Sequence, residues 1–98
     1  GGGSTDVGDV SWVVPTVQTN VCCYAAGTAL HSWQAVAQGK SSAAHKGMLT
    51  AAKVMACTGV DLLEHPKLIE KAHEDWLAEL DGETYPNPLP PEVKPGLW

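Results

Sequence analysis

The chain has 98 residues, six Lys plus Arg against eleven Asp plus Glu, a formal charge of −5, and 44% apolar side chains without a single Phe. That length fits one small acidic domain, or part of a larger one, with a thin core, because chains this short bury roughly 60 to 70% of the surface they expose when unfolded. Six cations among eleven carboxylates argue against a nucleic-acid partner and an anionic membrane surface, and no apolar run approaches the roughly 18 residues of a spanning helix.

The opening Gly1-Gly2-Gly3 has neither the basic segment nor the apolar stretch of a secretory signal, and the first Met is Met48, inside an expected helix. The expectation is a cut fragment or a processed subunit. Three cysteines, Cys22, Cys23 and Cys57, form no CxxC and no even framework. This favours a reducing compartment such as the cytoplasm and buried packing roles for the thiols.

Residues 1–9 are Gly, Ser, Thr and Asp with one Val, the composition of a surface loop. Val10-Ser11-Trp12-Val13-Val14 is β-branched and aromatic and stops at Pro15, which predicts a first strand. Val21-Cys22-Cys23-Tyr24-Ala25-Ala26, apolar on both faces and closed by Gly27, predicts a second, buried strand. Residues 30–39 follow no clear period. Ser41 and Ser42 offer caps to a long helix over 43–63. Ala44, Met48, Ala51, Met55, Thr58 and Leu62 make one of its faces; Leu49, Ala52, Ala56, Val60 and Leu63, with His45, make a second. Such a helix is expected to be covered on most sides. Pro66 opens a second, amphipathic helix over 66–80 with Gly82 as its C-terminal cap. Five of the seven prolines fall in residues 83–98, an irregular, polyproline-like tail.

The fold class expected from this order is α/β: two strands, a long helix and a second helix, in one partial domain over residues 1–98. A two-stranded ribbon is marginal by itself, so further strands must come from the rest of a larger domain or from copies of the chain.

Three groups of side chains could carry chemistry. His31 falls in a loop after the second expected strand, where α/β folds keep ligands and catalytic groups; the competing reading is an imidazole packed under Trp33. His45, in the first turn of the long helix, could bond outwards to a ligand or pack half-buried. Asp6 and Asp9 could bind a metal or divide acid and base work, or form ordinary turns. His65 and His73 read as solvent-facing.

The string Gly3-Ser4-Thr5-Asp6-Val7-Gly8-Asp9-Val10-Ser11-Trp12-Val13-Val14-Pro15-Thr16, then Ala26-Gly27-Thr28-Ala29-Leu30-His31-Ser32-Trp33-Gln34 and Ala44-His45-Lys46-Gly47-Met48, resembles the C-terminal stretch of one family. That family is the bacterial aminobenzoyl-glutamate utilization protein B, a branch of the metal-dependent amidohydrolases and carboxypeptidases with a zinc-peptidase-like catalytic domain. The resemblance runs over residues 3–63 and more loosely to the end. It implies a hydrolase of the amide bond in an N-acyl or p-aminobenzoyl amino acid, with a water activated by two divalent metals, zinc or manganese, about 3.5 to 4 Å apart. It further implies that His31 is one metal ligand, that His45 contacts substrate or an outer partner of the ligands, and that Asp6 and Asp9 lie near the site. The remaining ligands, the Glu base and a dimerisation domain are implied to lie upstream, so no complete metal pair and no activity are expected of these residues alone. The partners expected are a small amide substrate, the remainder of the catalytic domain and further copies in a homo-oligomer. The alternative is a non-catalytic binding or assembly module that self-associates.

Overall fold

The structure, a computed structural model, describes residues 4–94 and 96. Its elements are four helices: α1 (Val7–Ser11), α2 (Trp33–Gln38), α3 (Ser42–Glu64) and α4 (Pro66–Leu80). Among the described residues there is no strand. The expected α/β class with two strands is therefore corrected to an all-helical arrangement. Val10 and Ser11 end α1, Trp12 and Val13 form the turn after it, and residues 21–26 run as irregular chain. The reason is physical. A β-branched, aromatic composition reports how well side chains fit a pleated surface with neighbours on either side. Here neither segment has a neighbouring strand to bond, and Val13 stays 60% exposed.

The helices fall into two compact units: one joins Gly1–Thr16 with Glu70–Trp98, the other is Val17–Ile69.

In the Val17–Ile69 unit, α3 begins where its sequence places a cap. Ser41 is extended (φ −73°, ψ 156°) and its hydroxyl accepts from Ala44 N–H at 3.1 Å, satisfying one of the orphan amides of the first turn. Three residues further on, Gly47 leaves a gap in the helix surface that the irregular segment fills: a Cβ there would stand 2.5 Å from the Cys22 carbonyl oxygen and 2.7 Å from Cys23 Sγ. Ala44 and Gly47 are accordingly the buried residues of α3. Ala51, Thr58 and Leu62 continue that face half-buried. The second apolar face, expected to be covered, lies open, with Leu49, Val60 and Leu63 exposed, the last at 81%. Cys22 and Cys57 are likewise exposed and Cys23 half-buried, all three as free thiols, so the buried packing expected of them does not hold for the first two.

The shorter α2 was not apparent in the residue pattern. Ser32 is its N-cap (φ −129°, ψ 157°), with Oγ accepting from Ala35 N–H at 3.2 Å. Gly39 closes it, its N–H reaching Ala35 O and Val36 O at 3.1 Å each.

The helix α4 begins at Pro66, in the last residues of the Val17–Ile69 unit, and from Glu70 belongs to the other unit, where it ends at a left-handed pair, Asp81 (φ 48°) and Gly82 (φ 80°), after which Glu83 N–H bonds Leu80 O at 2.8 Å. Lys71 and Asp75, one turn apart on its exposed side, form an ion pair that raises the Lys71 pKa through that hydrogen bond. Trp76 turns its indole to the N-terminal segment, and Nε1–H donates to Ser11 O at 2.8 Å. His73 stacks obliquely beside it, ring centroids 5.3 Å apart. Residues 83–94 add turns and no helix, and Tyr85 OH donates to Asp9 Oδ1 at 2.9 Å.

Candidate functional site

The chain from Ala25 to Ser32 is built by short-range bonds. Gly27 adopts φ +81°, and Thr28 N–H bonds Ala25 O at 3.1 Å, which is a tight turn whose third residue requires the left-handed region. Thr28 Oγ1 reinforces it by donating to the same carbonyl at 2.7 Å. At the other end Ser32 Oγ donates to Ala29 O at 2.5 Å while capping α2. His31 lies between these two fixed points.

His31 itself has φ 57°. A non-glycine residue in this region carries strain of about 1 to 3 kcal/mol, and such residues gather at functional sites, where the surrounding bonds hold them in place. Its imidazole is exposed and lies at the edge of an open hollow of about 570 Å³ lined by Tyr24, Leu30, Ser32, Ala35, Val36 and Gly39. That volume is in the range of small-molecule sites, and the walls are mainly apolar with two hydroxyls, those of Tyr24 and Ser32, and one imidazole as polar handles. Trp33 is 76% exposed, so the alternative of an imidazole buried beneath that indole is not the arrangement found. What precedes His31 is irregular chain, where the sequence predicted a strand end.

His45 occupies the first turn of α3, exposed, its N–H bonded to Ser41 O at 3.1 Å; it does not line the hollow. Asp6 and Asp9 belong to the other unit. Asp6 takes the N-cap position of α1 without a side-chain bond, its carbonyl accepting from Val10 N–H at 3.3 Å. Asp9 lies in the first turn of α1 and is engaged by Tyr85, whose pKa the bond raises above the ordinary phenol range, since the carboxylate holds the phenolic proton. His65 caps α3, and both it and His73 are exposed, as expected.

The fit of these residues to a metal pair follows from the donor set. Among the described residues no three His, Cys, Asp or Glu side chains converge to hold an ion. Zinc takes about three or four protein ligands. The residues described here therefore do not by themselves make a metal centre, and His31 could supply at most a single bond to one.

Sequence reasoning missed Gln38. It lies on α2, half-buried, and its side chain bonds the Ala25–Thr28 turn. The signal available was Ser32 followed by six residues free of Gly and Pro and then Gly39, the punctuation of a short helix.

With this geometry in place, similarity to other proteins gives it a setting. The relatives the chain matches are named as an amide-bond hydrolase subunit and a dipeptidase. The chain is 48% identical over 92 residues, 94% of its length, to a subunit of the p-aminobenzoyl-glutamate hydrolase of Escherichia coli (strain K12). It is 35% identical over 86 residues, 87% of its length, to the Xaa-Arg dipeptidase of Homo sapiens. The chain spans about a fifth of the length of each, 19% in both cases. Neither a family model nor a solved structure matches.

Proposed function

We propose that this chain is part of a metal-dependent amidohydrolase that cleaves the amide bond of a p-aminobenzoyl or other N-acyl amino acid. The observation that carries the reading is the 48% identity over 94% of the chain to a p-aminobenzoyl-glutamate hydrolase subunit. The strained, exposed His31 beside a mainly apolar hollow supports it, because an aryl or acyl group can be seated against Tyr24, Leu30 and Val36 while the imidazole faces its polar end.

In this reading His31 is one ligand of a zinc or manganese pair whose other ligands lie outside these residues. The pair, when bound, supplies the activated water. This chain's own part is to present the imidazole at a fixed position and to form one apolar wall. His45, Asp6 and Asp9 are assigned to the surroundings of the substrate. The remainder of the catalytic domain completes the site, these residues alone turn over nothing, and free thiols fit a reducing, cytoplasmic setting.

A second reading has one observation in its favour. The exposed apolar residues of α3, Met48 and Met55 on one face and Leu49, Val60 and Leu63 on the other, are the kind of surface an assembly module buries against another copy. Turnover separates the two. The full-length protein is expected to release p-aminobenzoate from p-aminobenzoyl-glutamate or an amino acid from an N-acyl analogue. Absence of hydrolysis across p-aminobenzoyl, N-acyl and dipeptide substrates overturns the enzyme reading.

A further inference from the structure

The structure assigns Gln38 as the positioning residue that holds the His31 loop in its working conformation, an assignment that rests on the reading of His31 as the functional imidazole.

Gln38 makes three bonds with one primary amide. Its Oε1 accepts from Ala25 N–H at 2.8 Å; its Nε2 donates to Thr28 Oγ1 at 2.9 Å and to Gln34 O at 3.3 Å. The orientation of the amide is fixed by its neighbours, because the Ala25 N–H requires an acceptor and the Gln34 carbonyl requires a donor. No other side chain of this length offers both: a glutamate can take the Ala25 proton and has none to give to Gln34, and a lysine can donate and cannot accept. The anchor is a rigid one, because Gln38 stands on α2, whose first turn is capped by Ser32, the residue next to His31. One helix therefore grips the 25–32 segment twice. Ser32 holds its end through Ala29 O, and Gln38 holds its beginning through Ala25 and Thr28. Between the two grips the chain must close within six residues, and it does so with His31 at φ 57°. Releasing one grip lets that backbone relax to negative φ, which is favoured for histidine, and the imidazole then leaves the edge of the hollow.

The contact spans thirteen residues of sequence from Ala25 to Gln38, so it is tertiary in character and not a by-product of helix formation. Gln38 does not line the hollow. It acts through His31 and has no contact with what is bound there.

The test uses the full-length protein with p-aminobenzoyl-glutamate as the probe, in the variants Gln38→Ala, Gln38→Glu, Thr28→Val and His31→Ala. Two quantities are read: amide hydrogen exchange of the peptide containing residues 25–32, and kcat and KM separately. Gln38→Ala is expected to speed exchange at Ala25 about fivefold to tenfold. It is also expected to lower kcat about tenfold or more with KM within about twofold, because a misplaced reacting group costs rate more than binding. Gln38→Glu keeps the bond from Ala25 and falls between Gln38→Ala and the parent. Thr28→Val removes the second bond without touching Gln38, and supplies the same comparison if Gln38→Ala does not fold. Unchanged exchange at residues 25–28 in both Gln38→Ala and Thr28→Val overturns the latch outright. Faster exchange with an unchanged kcat, in a protein where His31→Ala does lower kcat, overturns the positioning role while leaving His31 functional. Normal turnover by His31→Ala overturns the reading of His31 itself, and the positioning role with it.

Discussion

Two glycines of α3 give a paired experiment in which the same substitution has opposite signs. Replacing Gly by Ala inside a helix ordinarily stabilises by about 0.5 to 1 kcal/mol, since alanine has less backbone freedom to lose. At Gly59 nothing lies within 4 Å of the added Cβ, so Gly59→Ala should gain that amount. At Gly47 the added carbon would meet Cys22 O at 2.5 Å and Cys23 Sγ at 2.7 Å. These approaches are about an ångström inside ordinary van der Waals separation. The nearer contact is backbone, which cannot swing aside as a side-chain tip can. Either the 22–23 segment lifts off α3 or the helix bends, and overpacking of this kind costs about 1 to 3 kcal/mol. The helix-propensity gain is common to both variants, so the difference between them isolates the overlap and should itself be about 1 to 3 kcal/mol. Amide exchange of α3 in the full-length protein reads it directly: slower opening in Gly59→Ala, faster opening in Gly47→Ala, and lost protection around Cys22 in the second variant alone. Equal stabilisation by both substitutions would show that the irregular segment does not rest on Gly47, and the packing described for this unit would be wrong.

Two further outcomes follow from local chemistry. Ser41→Ala removes the acceptor of Ala44 N–H and should destabilise the start of α3 by about 1 kcal/mol, seen as faster exchange in its first turn, whereas Ser41→Asp keeps an acceptor and should be near neutral. Tyr85 is held protonated by Asp9, so its folded pKa lies above the unfolded one; the stabilisation is fully present below the ordinary phenol pKa and is lost as pH rises through the raised value. Absorbance titration of the tyrosinates should show one phenol ionising late, and Asp9→Ala should return it to the ordinary range; a titration indistinguishable from that of Asp9→Ala would refute the bond.

The parts of this fold that were legible in the sequence are those whose causes are local. A serine before an alanine-rich run, a proline at the first turn and an Asp-Gly pair at the last are interactions of the chain with itself, and they place α3 and α4 within a residue of where they lie. The strands were not legible because a strand is a relation between segments. Val10 and Val13 fit a sheet, and with no strand beside them the first closes a helical turn and the second stays exposed. The two-faced apolar pattern of α3 was read as a helix covered on most sides, whereas Leu49, Val60 and Leu63 lie exposed; which face is covered depends on the segment that docks at Gly47, and that is not written in the helix. His31 was picked out by its place after an apolar run and by the resemblance, while its left-handed backbone came only from the structure. Gln38 had no signal of its own: a glutamine at the end of a six-residue helix becomes informative once the turn thirteen residues earlier is seen to rest on it.

The most direct measurement compares His31→Ala with His45→Ala in the full-length protein, scoring bound divalent metal and p-aminobenzoyl-glutamate turnover side by side. Both substitutions remove the same exposed imidazole, so their packing costs are alike and the contrast reports on function. A direct ligand has no substitute, whereas partners outside the ligand set change affinity or activity by about 10 to 100-fold. His31→Ala is predicted to lose turnover and to lower metal content, and His45→Ala to keep its metal and lose activity only in part. Full metal content and near-normal turnover in His31→Ala would contradict the assignment of His31 and leave its strained backbone without a functional explanation.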